Sequence, residues 1–222
     1  MSLKGRVAMV TGGGRGIGKG IALALAKDGA DVAIIYRRDE DAAQQTAAEI
    51  KALGSKAAIF SADLTDFDRI ESAVGEALQT FGKIDILVNN AGIASRGRTI
   101  METDITELRK VIDSHVFGSF CFTRAVLPSM RQQPRGDIIY ISSIAVEHLD
   151  ANGGPYSMAK CALEAMAITL AKEERAHNIR VNIVRPGLVE TDMGVRLAKA
   201  TMGIKDIKDI YADSPFGRVG LP

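Results

Sequence analysis

Arg6-Val7-Ala8-Met9-Val10 runs directly into Thr11-Gly12-Gly13-Gly14-Arg15-Gly16-Ile17-Gly18. A short, nearly continuous apolar run is what a parallel strand buried on both faces requires. Beyond the glycines, Ile17, Ile21 and Leu25 recur at intervals of four, which predicts a helix running to about Asp28-Gly29. Strand, glycine loop and helix together aim free backbone N–H groups and the positive helix end at an anion such as a phosphate. Side chains in that loop would hold a diphosphate away from the backbone. Two kinds of nucleotide loop compete here. A P-loop almost matches, with Gly13, four residues and Gly18-Lys19, but Gly20 stands where a hydroxyl must reach magnesium. That argues against a nucleotide hydrolase. The Gly-x-Gly-x-x-Gly fingerprint is not matched literally; the spacing present is Gly12-x-x-x-Gly16-x-Gly18.

The remaining chain alternates strand and helix. Strands are predicted over Asp31–Tyr36, Lys56–Ser61, Ile84–Val88, Asp137–Ile141 and Ile179–Val184. Helices are predicted from Glu40 to Leu53, closed by Gly54, from Asp66 to about Phe81, from about Asp104 to Arg131, and from Tyr156 to about His177. This alternation, without internal repeat or linker, gives an α/β fold: a three-layer, Rossmann-like, doubly wound parallel sheet in one domain over residues 1–222. Six strands are present. After Met193 comes a charged stretch read as the start of a substrate lid, and no strand signal follows Val184. The sixth strand is then expected to be a sheet edge, which is an aggregation hazard.

Tyr156-Ser157-Met158-Ala159-Lys160 opens the last long helix, so Tyr156 and Lys160 share a face one turn apart. A phenol ordinarily holds its proton until about pH 10. A neighbouring ammonium favours the phenolate and is expected to draw that value down, making a proton donor and acceptor for a carbonyl or alcohol oxygen. Ser142-Ser143 ends the fifth strand at the carboxyl edge of the sheet, where doubly wound folds bind ligands. In the loop between, His148, Leu149 and Asn152 either line a pocket or are simply exposed.

In order along the chain, the glycine loop, Asn89-Asn90-Ala91-Gly92, Ser143, Tyr156 with Lys160, and Pro186-Gly187 resemble the short-chain dehydrogenase/reductase family. Val189-Glu190-Thr191-Asp192-Met193 makes the pattern most similar to bacterial 3-oxoacyl-(acyl-carrier-protein) reductases, which act in fatty acid biosynthesis. The resemblance implies Ser143, Tyr156 and Lys160 as catalytic residues and a nicotinamide coenzyme. It implies coenzyme contacts from Gly12, Gly14, Arg15, Gly16, Ile17, Gly18, Arg37, Asp63, Leu64, Asn90, Gly92, Tyr156, Lys160, Pro186, Gly187, Val189 and Thr191. An acidic residue ending the second strand would select NAD, whereas Tyr36-Arg37-Arg38, with Arg15 alongside, suits the phosphate of NADP(H). The alternative is that Arg37 and Arg38 are a solvated loop. The resemblance further implies a carbonyl or alcohol substrate, with acyl carrier protein as a candidate partner, and a homodimer or homotetramer. Where the family usually carries a relay Asn, this chain has His115, which leaves a relay rebuilt on His115, a packed histidine or a slower enzyme open. A coenzyme-binding scaffold without turnover is the reading from another class.

A formal charge of +1, from 28 basic and 27 acidic residues, gives no electrostatic case for nucleic acid or an anionic membrane. No apolar run is long enough to span a bilayer and no signal-peptide core precedes the first strand, so a cytoplasmic location is expected. Cys121 and Cys161 read as two buried thiols, and three scattered histidines give a metal site little support.

Overall fold

The computed structural model describes the chain apart from Met1, Gly203 and Pro215 and the side chains of residues 199–202. Six parallel strands form one sheet in the order β3-β2-β1-β4-β5-β6. They are β1 (Val7–Thr11), β2 (Asp31–Tyr36), β3 (Ala57–Ser61), β4 (Ile86–Asn89), β5 (Gly136–Ile141) and β6 (Ile179–Val184). The register pairs Thr11 with Ile35 on one side of β1 and Val10 with Val88 on the other. Strand order therefore reverses between β1 and β4, which opens a crevice at their carboxyl ends.

The apolar run in β1 is explained by the two faces it must fill. Val7 and Met9 pack with Ile70 and Val74 of α3 (Phe67–Phe81), Phe122 and Val126 of α5 (Gly118–Met130), and Leu163 and Ala167 of α7 (Gly154–Glu173). Ala8 and Val10 point the other way, onto Ala22 and Ala26 of α1 (Gly16–Lys27) and Ala43, Ala47 and Ile50 of α2 (Glu40–Ala52). Alanines on α1 and α2 allow those helices to lie close to the sheet. Asp39 and Asp66 cap α2 and α3 by accepting from Ala42 N and Arg69 N.

Two expectations differ from the structure, the continuous helix from Asp104 and the burial of Cys161. The long helix from Asp104 is broken into α4 (Ile105–Ile112), a π-helical turn (Asp113–Phe117) and α5. The wider turn seats His115 and brings Gly118 so close to Leu64 that a methyl on Gly118 would lie 2.7 Å from the Leu64 carbonyl oxygen. The charged stretch read as a lid forms α8 (Asp192–Met202), with Ala198, Ile207 and Val219 buried together. Of the two thiols, Cys121 is buried but Cys161 is exposed on α7.

β6 lies at the edge, and among the described residues no further strand pairs with it. A groove of about 450 Å³, lined in part by Ile168, Ala171, Val181 and Ile183, runs beside it. No helix among the described residues is long and apolar enough to cross a membrane. After β5 comes the short α6 (Ala145–His148), ended by Leu149 at φ 51°, and a loop leads on to α7.

Candidate active site

The glycine loop is tied down by its neighbours. Gly12 N and Gly13 N donate to Ile35 O at 2.8 and 3.3 Å. Gly16 has φ +52°, and a methyl there would also press on Thr191 Cγ2 at 3.3 Å, so the segment after Pro186 comes against the loop. Gly18 is excluded from change by space: its Cβ would lie 2.1 Å from Gly12 O and 2.6 Å from Asn90 Nδ2. Gly14 instead backs onto Ala43 of α2, 3.1 Å from a hypothetical Cβ. Arg15 at the N-cap of α1 supplies no side-chain acceptor and the first turn carries no acid, which suits a ligand phosphate on the free N–H groups.

Thr11 was not singled out by the sequence, yet it stitches β1 to β4. Its hydroxyl donates to Val88 O at 3.3 Å and accepts from Asn90 N and Ala91 N at 2.9 and 3.0 Å, while Asn90 Nδ2 donates to Thr11 O at 2.9 Å. Asn89 Nδ2 donates to Thr123 Oγ1 at 3.1 Å, which joins the Tyr140 hydroxyl at 2.7 Å. The asparagines thus hold the centre of the sheet beneath the crevice.

At the end of β2, Arg37 faces Asp63 at 3.8 Å, and Arg15 stands 3.9 Å from both Asp39 and Asp192. These guanidiniums are exposed and loosely paired, so exchanging a carboxylate for a phosphate costs little. Burial raises the Asp63 carboxyl, but hydrogen bonds from Thr65 N and the Thr65 hydroxyl, with Arg37 beyond, bring it below its ordinary value. Gly187 borders open space, with nothing within 4 Å of a hypothetical Cβ.

β5 delivers its two serines to different surroundings. The Ser142 hydroxyl is buried without a hydrogen-bond partner among the described residues, whereas the Ser143 hydroxyl accepts from Ala145 N at 3.2 Å and acts on the Tyr156 phenol. Lys160 is 3% exposed; its Nζ donates to Ile141 O at 2.7 Å and stands 5.5 Å from the Tyr156 ring centroid. The phenol is raised, not lowered as its spacing from Lys160 predicts: burial holds Tyr156 above its ordinary value, with the Ser143 hydroxyl acting the other way. Burial also pushes Lys160 from 10.5 down to about 7, opposed by Glu164. A low-dielectric site penalises both ionised forms, and the ammonium turns to a carbonyl. Between pH 7 and 10.5 the unfolded chain therefore carries a proton on Lys160 that the folded chain has lost. Stability from this group rises with pH across that window. Urea unfolding at about pH 7 and about pH 9 should show wild type gaining on Lys160→Met; parallel changes would refute the shift.

His115 is buried, and its Nε2 lies 2.7 Å from Ile93 O and 3.1 Å from Ile93 N. Its ring meets Tyr156 edge-on at 5.4 Å between centroids. Burial, with Lys160 adding repulsion, lowers its pKa to about 3, against the Ile93 hydrogen bond. His115 is thus neutral near pH 7 and packs as a polar brace. A methyl on Gly92 would lie 2.1 Å from His115 Cε1, so the glycine and the histidine form a matched pair. Gly92→Ala should cost about 1–3 kcal/mol by overpacking, and His115→Asn in the same chain should restore most of it. Simple additivity in denaturant titrations would contradict the match.

His148, Leu149 and Asn152 are all exposed, the last with φ +66°. Ile100, itself 82% exposed, lies 3.4 Å from where a Gly154 Cβ would sit, at the start of the Tyr156 helix.

Ser143, Tyr156 and Lys160 thus come together on a parallel sheet whose strand order reverses beside the glycine loop, the architecture of a dinucleotide-type fold. Residues 6–201 match the short chain dehydrogenase family, and the chain belongs to it. It is 38% identical over 221 residues to a 3-oxoacyl-[acyl-carrier-protein] reductase of Synechocystis sp., covering all of this chain and 86% of that one. A short chain dehydrogenase from Burkholderia cenocepacia in complex with NADP superposes with a TM-score of 0.89 at 33% identity, over 100% of this chain and 87% of the other. A 7 alpha-hydroxysteroid dehydrogenase with NADH and 7-oxo glycochenodeoxycholic acid gives a TM-score of 0.88 at 32% identity, over 100% and 84%.

Proposed function

We propose that the protein is an NADP(H)-dependent reductase that converts a ketone, of the 3-oxoacyl thioester kind, into a secondary alcohol. What supports this reading is the Ser143 hydroxyl acting on the Tyr156 phenol, with Lys160 Nζ 5.5 Å from the centroid of that ring. When bound, the reduced nicotinamide supplies a hydride to the carbonyl carbon. Ser143 orients the carbonyl oxygen, Tyr156 gives that oxygen its proton, and Lys160 in its ammonium form stabilises the phenolate left behind. Gly12, Gly14, Arg15, Gly16, Ile17 and Gly18 would hold the diphosphate, and Asp63 and Leu64 the adenine. Asn90, Gly92, Pro186, Gly187, Val189 and Thr191 would flank the nicotinamide, whose ribose Tyr156 and Lys160 would hold. One domain serves both coenzyme and chemistry.

The coenzyme preference rests on Arg37 and Arg15, with no acid at residues 36–38. Arg37→Glu should weaken NADPH at least tenfold, since a charge-assisted hydrogen bond contributes about 1.5–3 kcal/mol, and should leave NADH nearly unchanged. Equal NADPH titrations for both proteins would defeat that assignment.

The exposed apolar side chains Ile100, Met101 and Leu149 support a substrate with a greasy body. A steroid ketone is the second reading, favoured by the likeness to the 7 alpha-hydroxysteroid enzyme. NADPH oxidation with an acetoacetyl thioester, on both coenzyme A and acyl carrier protein, beside keto-steroids and keto-sugars, tests both. Coenzyme binding without oxidation of any of them would favour a scaffold. Exposed Phe67, Phe117 and Phe120 support a homo-oligomer, which sedimentation tests, and the expected location is cytoplasmic.

A further inference from the structure

Arg185, between β6 and Pro186, holds two carboxylates from two different elements. Its Nε and Nη2 donate to Oε1 and Oε2 of Glu164 at 2.8 and 2.6 Å, and Nη1 donates to Glu147 Oε1 at 2.7 Å. Glu164 sits on α7 four residues beyond Lys160, hence on the same face one turn further on. Glu147 sits on α6, four residues beyond Ser143. Backbone bonds reinforce the junction: Ser142 N donates to Val184 O at 2.8 Å and Ile144 N to Pro186 O at 3.1 Å. One guanidinium therefore joins the segments bearing Ser143, Tyr156 with Lys160, and Pro186-Gly187.

Exposure ranks the two arms. The Glu164 side chain is 9% exposed, so losing its bidentate partner would leave a buried charge uncompensated. Glu147 is 56% exposed, and its bond adds direction more than strength. Arg185 keeps the Glu164 carboxyl below its ordinary range, against burial, so Glu164 stays ionised one turn from Lys160. Lys160 is faced by Tyr156 and Glu164 from its own helix, by neutral His115 from the π-helical turn, and by the Ile141 carbonyl from β5.

We infer that Arg185 is a positioning residue that clamps Glu164 and Glu147, fixing the Ser143 segment against the helix that carries Tyr156 and Lys160. The catalytic consequence rests on the reductase reading; the clamp itself does not.

Arg185→Lys retains the charge but loses the fork. It should lower kcat roughly tenfold while KM and NADPH affinity stay within about twofold, because misplacement of reacting groups acts on the barrier. Glu164→Gln removes the negative charge that favours the Lys160 ammonium. Lys160 then loses its proton at lower pH, and the alkaline limb of kcat should move down by roughly half to one unit. The double variant Arg185→Gln with Glu164→Gln leaves no buried carboxylate unpaired, Glu147 being 56% exposed, and should fold while keeping the kcat loss. In amide hydrogen exchange, Arg185→Lys and Glu147→Gln should speed exchange across residues 143–149 and leave β1 to β4 unchanged. Wild-type kcat and pH profile in all these variants, or a uniform loss of stability with kcat intact, would reduce the contact to a structural bridge. If wild type turns over no ketone, the reductase reading falls and exchange alone decides. Unchanged protection over 143–149 in Arg185→Lys would then overturn the clamp.

Discussion

Tyr156→Phe should bind NADPH within about twofold of wild type and lose at least about a hundredfold in kcat, the scale of a positioned general acid. The ring stays, so its edge-on contact with His115 at 5.4 Å and its packing over Lys160 Nζ are kept. Only the hydroxyl beside Ser143 is lost. Because burial raises the phenol, Tyr156 keeps its proton near neutrality and stands ready as a donor in the reductive direction. Stopped turnover with intact coenzyme titration separates this role from folding. Retained wild-type turnover would refute it.

Gly18→Ala should abolish measurable coenzyme binding and lower stability by about 1–3 kcal/mol. The added methyl would stand 2.1 Å from Gly12 O and 2.8 Å from Gly12 C, both backbone atoms that no rotamer change can move. Relief requires the loop to shift away from Thr11 and Asn90, whose mutual hydrogen bonds fix the junction of β1 and β4. Gly75→Ala is the internal control. It lies inside α3 with nothing within 4 Å of its Cβ, so helix propensity predicts a gain of roughly 0.5–1 kcal/mol. Denaturant titration and NADPH fluorescence on both variants check the pair. Undiminished NADPH binding in Gly18→Ala would remove the loop from the site.

The strands were legible because a sheet covered on both faces demands apolar runs, and β6 begins and ends as its pattern predicts. The glycine loop was legible because part of what demands glycine there is local, the positive φ of Gly16 and the Gly12 carbonyl against Gly18, whereas the contacts from Thr191 and Asn90 were not. The break at Asp113–Phe117 was not, because a π-helical turn leaves the apolar spacing of a helix almost intact. What seats it is distant in sequence: Ile93 against His115 and Leu64 against Gly118. The Tyr156 phenol was misjudged because spacing reveals a neighbouring charge but not the burial that outweighs it. Glu164 could have been found from its place one turn beyond Lys160, whereas nothing near Arg185 in the sequence pointed to Glu147. Cys161 was misread because the broad apolar character of α7 conceals which side meets solvent.

Ser143, Tyr156 and Lys160 are proposed to act together on a carbonyl held against a reduced nicotinamide. Incubating the protein with NADPH deuterated at the transferable C4 position, together with the ketone panel, tests this most directly, the product being examined by mass spectrometry and NMR. The account predicts an alcohol with one deuterium on its carbinol carbon, formed by wild type and not by Tyr156→Phe. Tight NADPH binding with no labelled alcohol from any ketone, or equal labelling by both proteins, would contradict it.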